Sequence, residues 1–125
     1  MSEFIRLEDG TLTLNSWDGF VVRHQKPSNL LGHFVSFLMF YGGPLVALLT
    51  AKPLWLLLFF ASGAVGALSH HLTGDGKINL KEATSSPLVV FYVTVMFARI
   101  LRGTYREDIN RANDRYRRLL AITDR

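Results

Sequence analysis

Residues 33–71 decide the fold: HFVSFLMFYGGPLVALLT (33–50), a tight turn AKP (51–53), and LWLLLFFASGAVGALS (54–69) closed by His70-His71. The two apolar runs are 16–18 residues long and contain no charged side chain. At about 1.5 Å of rise per residue they approach the roughly 30 Å of hydrocarbon in a bilayer, so each reads as a membrane-spanning helix. Pro53 stands where the second helix opens, a position at which its missing N–H is harmless. The expected unit is a transmembrane hairpin of two antiparallel helices, spanning 28–50 and 53–71.

That hairpin brings distant histidines together. His33 lies about as far before the turn as His70 lies after it, so antiparallel helices place both at one end and one depth. His24 precedes the first span by about nine residues, and His71 adjoins His70. All four histidines of the chain can therefore gather at one membrane face.

The rest of the composition agrees with a membrane setting. The chain has 125 residues, enough for one domain, and 49% of them are hydrophobic, with the charges segregated to the ends rather than along a polar stripe of each helix. The fold class expected is all-α, an integral membrane helical bundle. The absence of cysteine removes disulfides, thiolate metal sites and cysteine nucleophiles from consideration. Residues 1–16 lack the basic start and apolar core of a cleavable signal, so the first span is expected to act as its own insertion signal.

In chain order, residues 1–15 read as an arm with a turn at Asp9-Gly10 and a short alternation through Leu12 and Leu14. Residues 16–26 read as a short interfacial helix, with Trp17, Phe20, Val21 and His24 along one face and Pro27 ending it. Gly42-Gly43-Pro44 is expected to weaken or kink the first span. Ser62, Gly63, Gly66 and Ala67 let a neighbouring helix approach the second closely, and self-association into a homo-oligomer is compatible with such a face. A polar connector (72–86) leads to a third apolar segment (87–101), about 22 Å long as a helix and so shorter than the hydrocarbon. It reads as a short tilted span, a re-entrant segment or a packed helix.

Charge placement favours a third segment that does not fully cross. Arg6, Arg23 and Lys26 precede the hairpin, Lys77 and Lys81 lie in the connector, and eight further Lys and Arg follow Ala98. The positive-inside rule then puts the arm, the connector and the histidine cluster on the cytoplasmic side, and a full third crossing would carry the basic tail away from it. The tail, 104–123, repeats apolar side chains at Tyr105, Ile109, Ala112, Tyr116 and Leu119 or Leu120 opposite an arginine-rich face. It reads as an amphipathic basic helix, either on anionic membrane lipids or packed on its own protein. A net charge of +4 gives no case for nucleic-acid binding.

The chemistry rests on the histidines. Residues 24–33, HQKPSNLLGH, form H-x4-N-x3-H, and residues 71–76, HLTGDG, form H-x3-D-G. Neutral imidazoles suit iron, zinc or copper, and histidine plus carboxylate with open positions is the arrangement non-haem Fe(II) uses for oxygen chemistry. His24 and His33 are candidate ligands. His70 and His71 differ by about 100° around a helix and cannot both face one metal, so His71 is the preferred ligand and His70 the second choice.

An H-x4-N-x3-H before an apolar span, a second span ending in H-x3-(E/D)-G and then a proline-led apolar segment resembles the membrane-bound 2-hydroxy fatty acid dioxygenases of fatty-acid α-oxidation. The resemblance covers roughly residues 17–102. It implies Fe(II), O2 and a 2-hydroxy fatty acid shortened by one carbon. By position, His24, His33 and His71 match the family's histidines, Asn29 its asparagine and Asp75 its acidic residue. Asn29 would then hydrogen-bond a ligand or substrate, and Asp75 would orient an imidazole or bind the metal directly. Arg23, Lys26 or Lys77 would hold the substrate carboxylate. The sequence departs from the family at Asp75, where glutamate is usual, at Phe20, where tyrosine is common, and at Gly43-Pro44, which falls late.

Two other readings compete. Residues 71–82 fit the second half of an EF-hand loop, with Asp75-Gly76, Ile78 and Glu82 in register, but His71 and Thr73 replace two oxygen ligands, which argues against calcium. The chain also fits a non-enzymatic membrane scaffold or assembly protein with a basic lipid-binding tail. A bacterial inner membrane and an endoplasmic reticulum membrane are both compatible locations.

Overall fold

The structure, a computed structural model, describes residues 4–6, 12–14, 16–75 and 88–123. The expectations for the connector, including Lys77, Lys81 and the EF-hand-like positions Ile78 and Glu82, fall outside these residues. The described chain is a helical fold: α1 Ser16–Val22, α2 Pro27–Thr50, a 3-10 turn Pro53–Trp55, α3 Leu56–Thr73, α4 Leu88–Arg102 and α5 Tyr105–Thr123. Ahead of them the arm holds one short antiparallel pair, β1 Phe4–Arg6 and β2 Leu12–Leu14, with Phe4 opposite Leu14.

Helices α2 and α3 form the hairpin. Helix α2 ends at Ala51, which takes the left-handed conformation (φ 54°) that closes a helix C-terminus, and Pro53 opens the return. Pro27–Thr50 and Pro53–Thr73 are each long and apolar enough to cross a membrane. Their outward faces carry bare leucine and phenylalanine, with Leu48, Leu49 and Phe60 each about three-quarters exposed. An uncovered apolar surface of this extent suits lipid as its solvent.

A seam of small and polar residues joins the two helices at 3–4-residue spacing. A side chain at Gly43 would strike the Trp55 carbonyl at 2.8 Å, and one at Gly32 would overlap Ser69. Between them Phe40 and Phe59 meet at 4.7 Å between ring centres, and the Ser36 hydroxyl donates to the Ser62 carbonyl at 2.6 Å. The Gly42-Gly43-Pro44 step leaves α2 continuous from Pro27 to Thr50. Its consequence lies at the seam, where Gly43 admits the backbone of the return strand of the hairpin.

Helix α4 packs antiparallel to α2 through Phe97 on Phe34 and Phe37 and through the Tyr41–Thr94 hydroxyl pair at 2.9 Å. Its C-terminal end and α5 then meet α1 at the open end of the hairpin. Phe20, Val21, Met96, Tyr105 and Ala112 are buried there, with Trp17, Tyr92 and Ile109 packed around them. The Tyr105, Ile109 and Ala112 part of the α5 stripe thus lies on protein, while Leu120 is exposed. Two buried aspartates tie the cap: Asp18 pairs with Arg111 and Arg115, and Asp108 with Arg99 and Arg111. Charges so enclosed are tolerated because each has two cationic partners.

A candidate three-histidine metal centre

The site forms where three segments converge. His33 stands on α2, one turn after Asn29; His70 stands on the last turn of α3; His24 sits in the non-helical link between α1 and α2. The Nε2 atom of His24 lies 3.1 Å from that of His33 and 2.9 Å from that of His70. The three rings stand nearly perpendicular to one another with centres 4.5 to 4.8 Å apart, and all three residues are buried.

The other ring nitrogens explain what this geometry can do. Nδ1 of His24 donates to the Phe20 carbonyl at 2.6 Å, Nδ1 of His33 to the Asn29 carbonyl at 3.0 Å, and Nδ1 of His70 to the Asp75 carbonyl at 2.6 Å. A neutral imidazole has one N–H, and each ring uses it on a carbonyl, so every Nε2 presents a lone pair. Three lone pairs at these separations repel unless a cation lies among them. A proton is a poor answer at His24: burial, with His33 and His70 beside it, holds its pKa well below the ordinary value of 6.5. The donor set fits a metal ion, and carbonyl acceptors behind each imidazole are the usual supports of histidine ligands.

Asn29 and Asp75 do not join the nitrogens; they build the frame. Asn29 is fully buried, accepts from the Ser69 hydroxyl at 2.7 Å and donates through its amide to the Asp75 carboxylate at 3.1 Å. That carboxylate also accepts the Gln25 and Lys26 backbone N–H groups, both at 2.8 Å. Asp75 therefore locks the link carrying His24 while its own carbonyl holds His70. The Asp75 carboxylate lies outside the group of side chains that could share one ion, His24, His33 and His70.

The choice between the adjacent histidines goes to His70. His71 is exposed and stands apart from the group, since a step of one residue on α3 turns its ring away. Phe20 stacks on His24 at 3.8 Å and Tyr105 donates its hydroxyl to the His24 carbonyl at 2.6 Å. Neither Tyr105 nor the bond it makes was foreseeable from spacing, because it reaches the site from 81 residues away. On the membrane side, Gly66 faces the centre: a Cβ there would lie 3.7 Å from the His33 Nε2.

Compared with protein-family models, with curated proteins and with solved structures, the chain matches none. The resemblance to the 2-hydroxy fatty acid dioxygenases rests on its motifs.

Proposed function

We propose that this protein is an Fe(II)-dependent membrane dioxygenase that shortens 2-hydroxy fatty acids by one carbon. The observation that carries the proposal is the trio of buried, neutral Nε2 donors. With metal–nitrogen bonds of about 2.1 Å, two nitrogens at a right angle lie about 3.0 Å apart, whereas tetrahedral ligands lie about 3.4 Å apart. The two separations from the His24 Nε2, 2.9 and 3.1 Å, are nearer the right-angle spacing, and a centre of that kind would keep positions for substrate and O2. Bound Fe(II) would supply O2 activation at those positions.

The protein's own residues define the rest. The three carbonyl-anchored imidazoles would hold the metal, and Gly66 keeps the space beside the His33 Nε2 clear. Leu31, Phe34, Leu68 and Leu72 expose apolar surface at the same end of the hairpin and suit an alkyl chain. Lys26, whose ammonium is held on the Thr73 carbonyl at 2.9 Å, gives this end a positive charge toward a carboxylate. In the overall reaction the C1–C2 bond breaks, C1 leaves as carbon dioxide, and O2 accepts four electrons. The products are the shortened acid and water.

The test is metal content of the detergent-purified protein after anaerobic Fe(II) loading. Near-stoichiometric iron is expected in the wild type and in His71→Ala, with loss in His33→Ala and His70→Ala. Loaded protein given a 2-hydroxy fatty acid and O2 should yield the acid one carbon shorter. A wild type that retains no metal would overturn the proposal and favour the scaffold.

A further inference from the structure

Of the three histidines, His24 alone lies outside a helix, and its backbone must be fixed from elsewhere. Backbone bonds tie the link 23–26 to α1, Arg23 N–H to Phe20 at 3.1 Å and His24 N–H to Val21 at 3.0 Å. The His24 Nδ1 and Gln25 Nε2 groups add side-chain bonds to the Phe20 and Val22 carbonyls of α1, and the link also reaches other elements. The Gln25 side chain and Asn113 of α5 form a reciprocal amide pair, Gln25 Nε2 to Asn113 Oδ1 at 2.7 Å and Asn113 Nδ2 to Gln25 Oε1 at 3.1 Å. Tyr105, also on α5 and buried, donates to the His24 carbonyl, while the Gln25 N–H reaches Asp75, whose carbonyl anchors His70.

We infer that α5 is a latch on the metal centre: Tyr105 and Asn113 are positioning residues that hold the His24 link in the geometry the other two histidines require. The inference rests on the metal-centre reading above and adds to it a dependence on the C-terminal helix. Two separate attachments, one on the ligand's own carbonyl and one on the next residue's side chain, fix both the position of the link and its rotation. The Tyr105 hydroxyl suits the role because it is buried and reaches the His24 carbonyl at 2.6 Å. Removing either attachment leaves the three imidazoles in place chemically but lets His24 drift from the shared point.

The experiment titrates Co(II) into full-length protein in detergent and reads both affinity and the visible ligand-field spectrum. Tyr105→Phe and Asn113→Ala are each expected to weaken Co(II) binding about 10-fold or more and to alter the spectrum, in line with losses of outer supports at other metal sites. The double exchange Gln25→Asn with Asn113→Gln, which rebuilds the amide pair with its lengths reversed, should recover the wild-type spectrum and most of the affinity. Helical content and melting of the metal-free variants identify folded samples, and if one variant fails to fold the other and the exchange carry the test. Folded single variants that bind Co(II) with wild-type affinity and spectrum would overturn the latch and leave the metal centre standing. A wild type that binds no Co(II) would overturn both.

Discussion

An imidazole can aim its Nε2 lone pair at a metal only while the proton stays on Nδ1, and each of the three rings keeps it there with a backbone carbonyl. Protonating His24 puts a charge into a buried place beside two further imidazoles. Because the pKa of His24 is lowered on folding, the unfolded chain takes up a proton before the native one does. Stability is therefore complete above about pH 6.5 and declines as the pH falls below that value. Melting temperature in detergent should be flat from pH 8 to 7 and drop between pH 6.5 and 5, and bound metal should be released over the same range.

At Asp75 the charge is the feature to test. Asp75→Asn replaces an acceptor of three N–H groups with a side chain that can match only part of them, and should cost about 1.5–3 kcal/mol, measured by denaturant unfolding. How far single residues were legible follows the same logic. His24 and His33 could be singled out because a proline, a helix start and a fixed spacing locate them. The sequence reading preferred His71, whereas the structure groups His70 with His24 and His33; both lie in the last turn of α3, and only the orientation of that turn decides between them.

Among the elements, the α2–α3 seam governs where His33 and His70 meet. Its contacts run in steps of three and four from Gly43 to Asn29, so a change near the turn is transmitted along a rigid pair of helices. Gly43→Leu should separate the hairpin and cost roughly 1–3 kcal/mol, read from thermal unfolding. Gly66→Leu would fill the space beside the His33 Nε2. It should lower metal affinity more than it lowers apo stability, which distinguishes a site effect from a packing effect. The hairpin was plain in the sequence, since charge-free runs and a proline turn leave few alternatives. The partner of α5 was not, because an apolar stripe at helical spacing is the same whether lipid or protein covers it; here α1 and α4 cover Tyr105, Ile109 and Ala112.

For the whole molecule, the bonds from α5 to the His24 link bring the basic tail back to the end of the hairpin where α2 starts and α3 stops. The arm and the tail should consequently report the same side of the membrane, with Lys52 at the turn on the other. Cysteine substitutions on the otherwise cysteine-free chain, probed with an impermeant thiol reagent in sealed vesicles, give the readout. Protection of Arg118→Cys under conditions that label Ser2→Cys would contradict this arrangement.

The three-histidine group lies at the end of an apolar hairpin, with Gly66 facing it and bare Leu68 and Leu72 at the same end. For a single-tailed amphiphile this location changes the cost of capture. Drawing about fifteen methylenes out of a bilayer into water costs roughly 12 kcal/mol at about 0.8 kcal/mol each. On the proposed function, a site at the depth of the head groups would meet the oxygenated end of such a molecule while its tail stays dissolved, and encounter would reduce to diffusion in two dimensions.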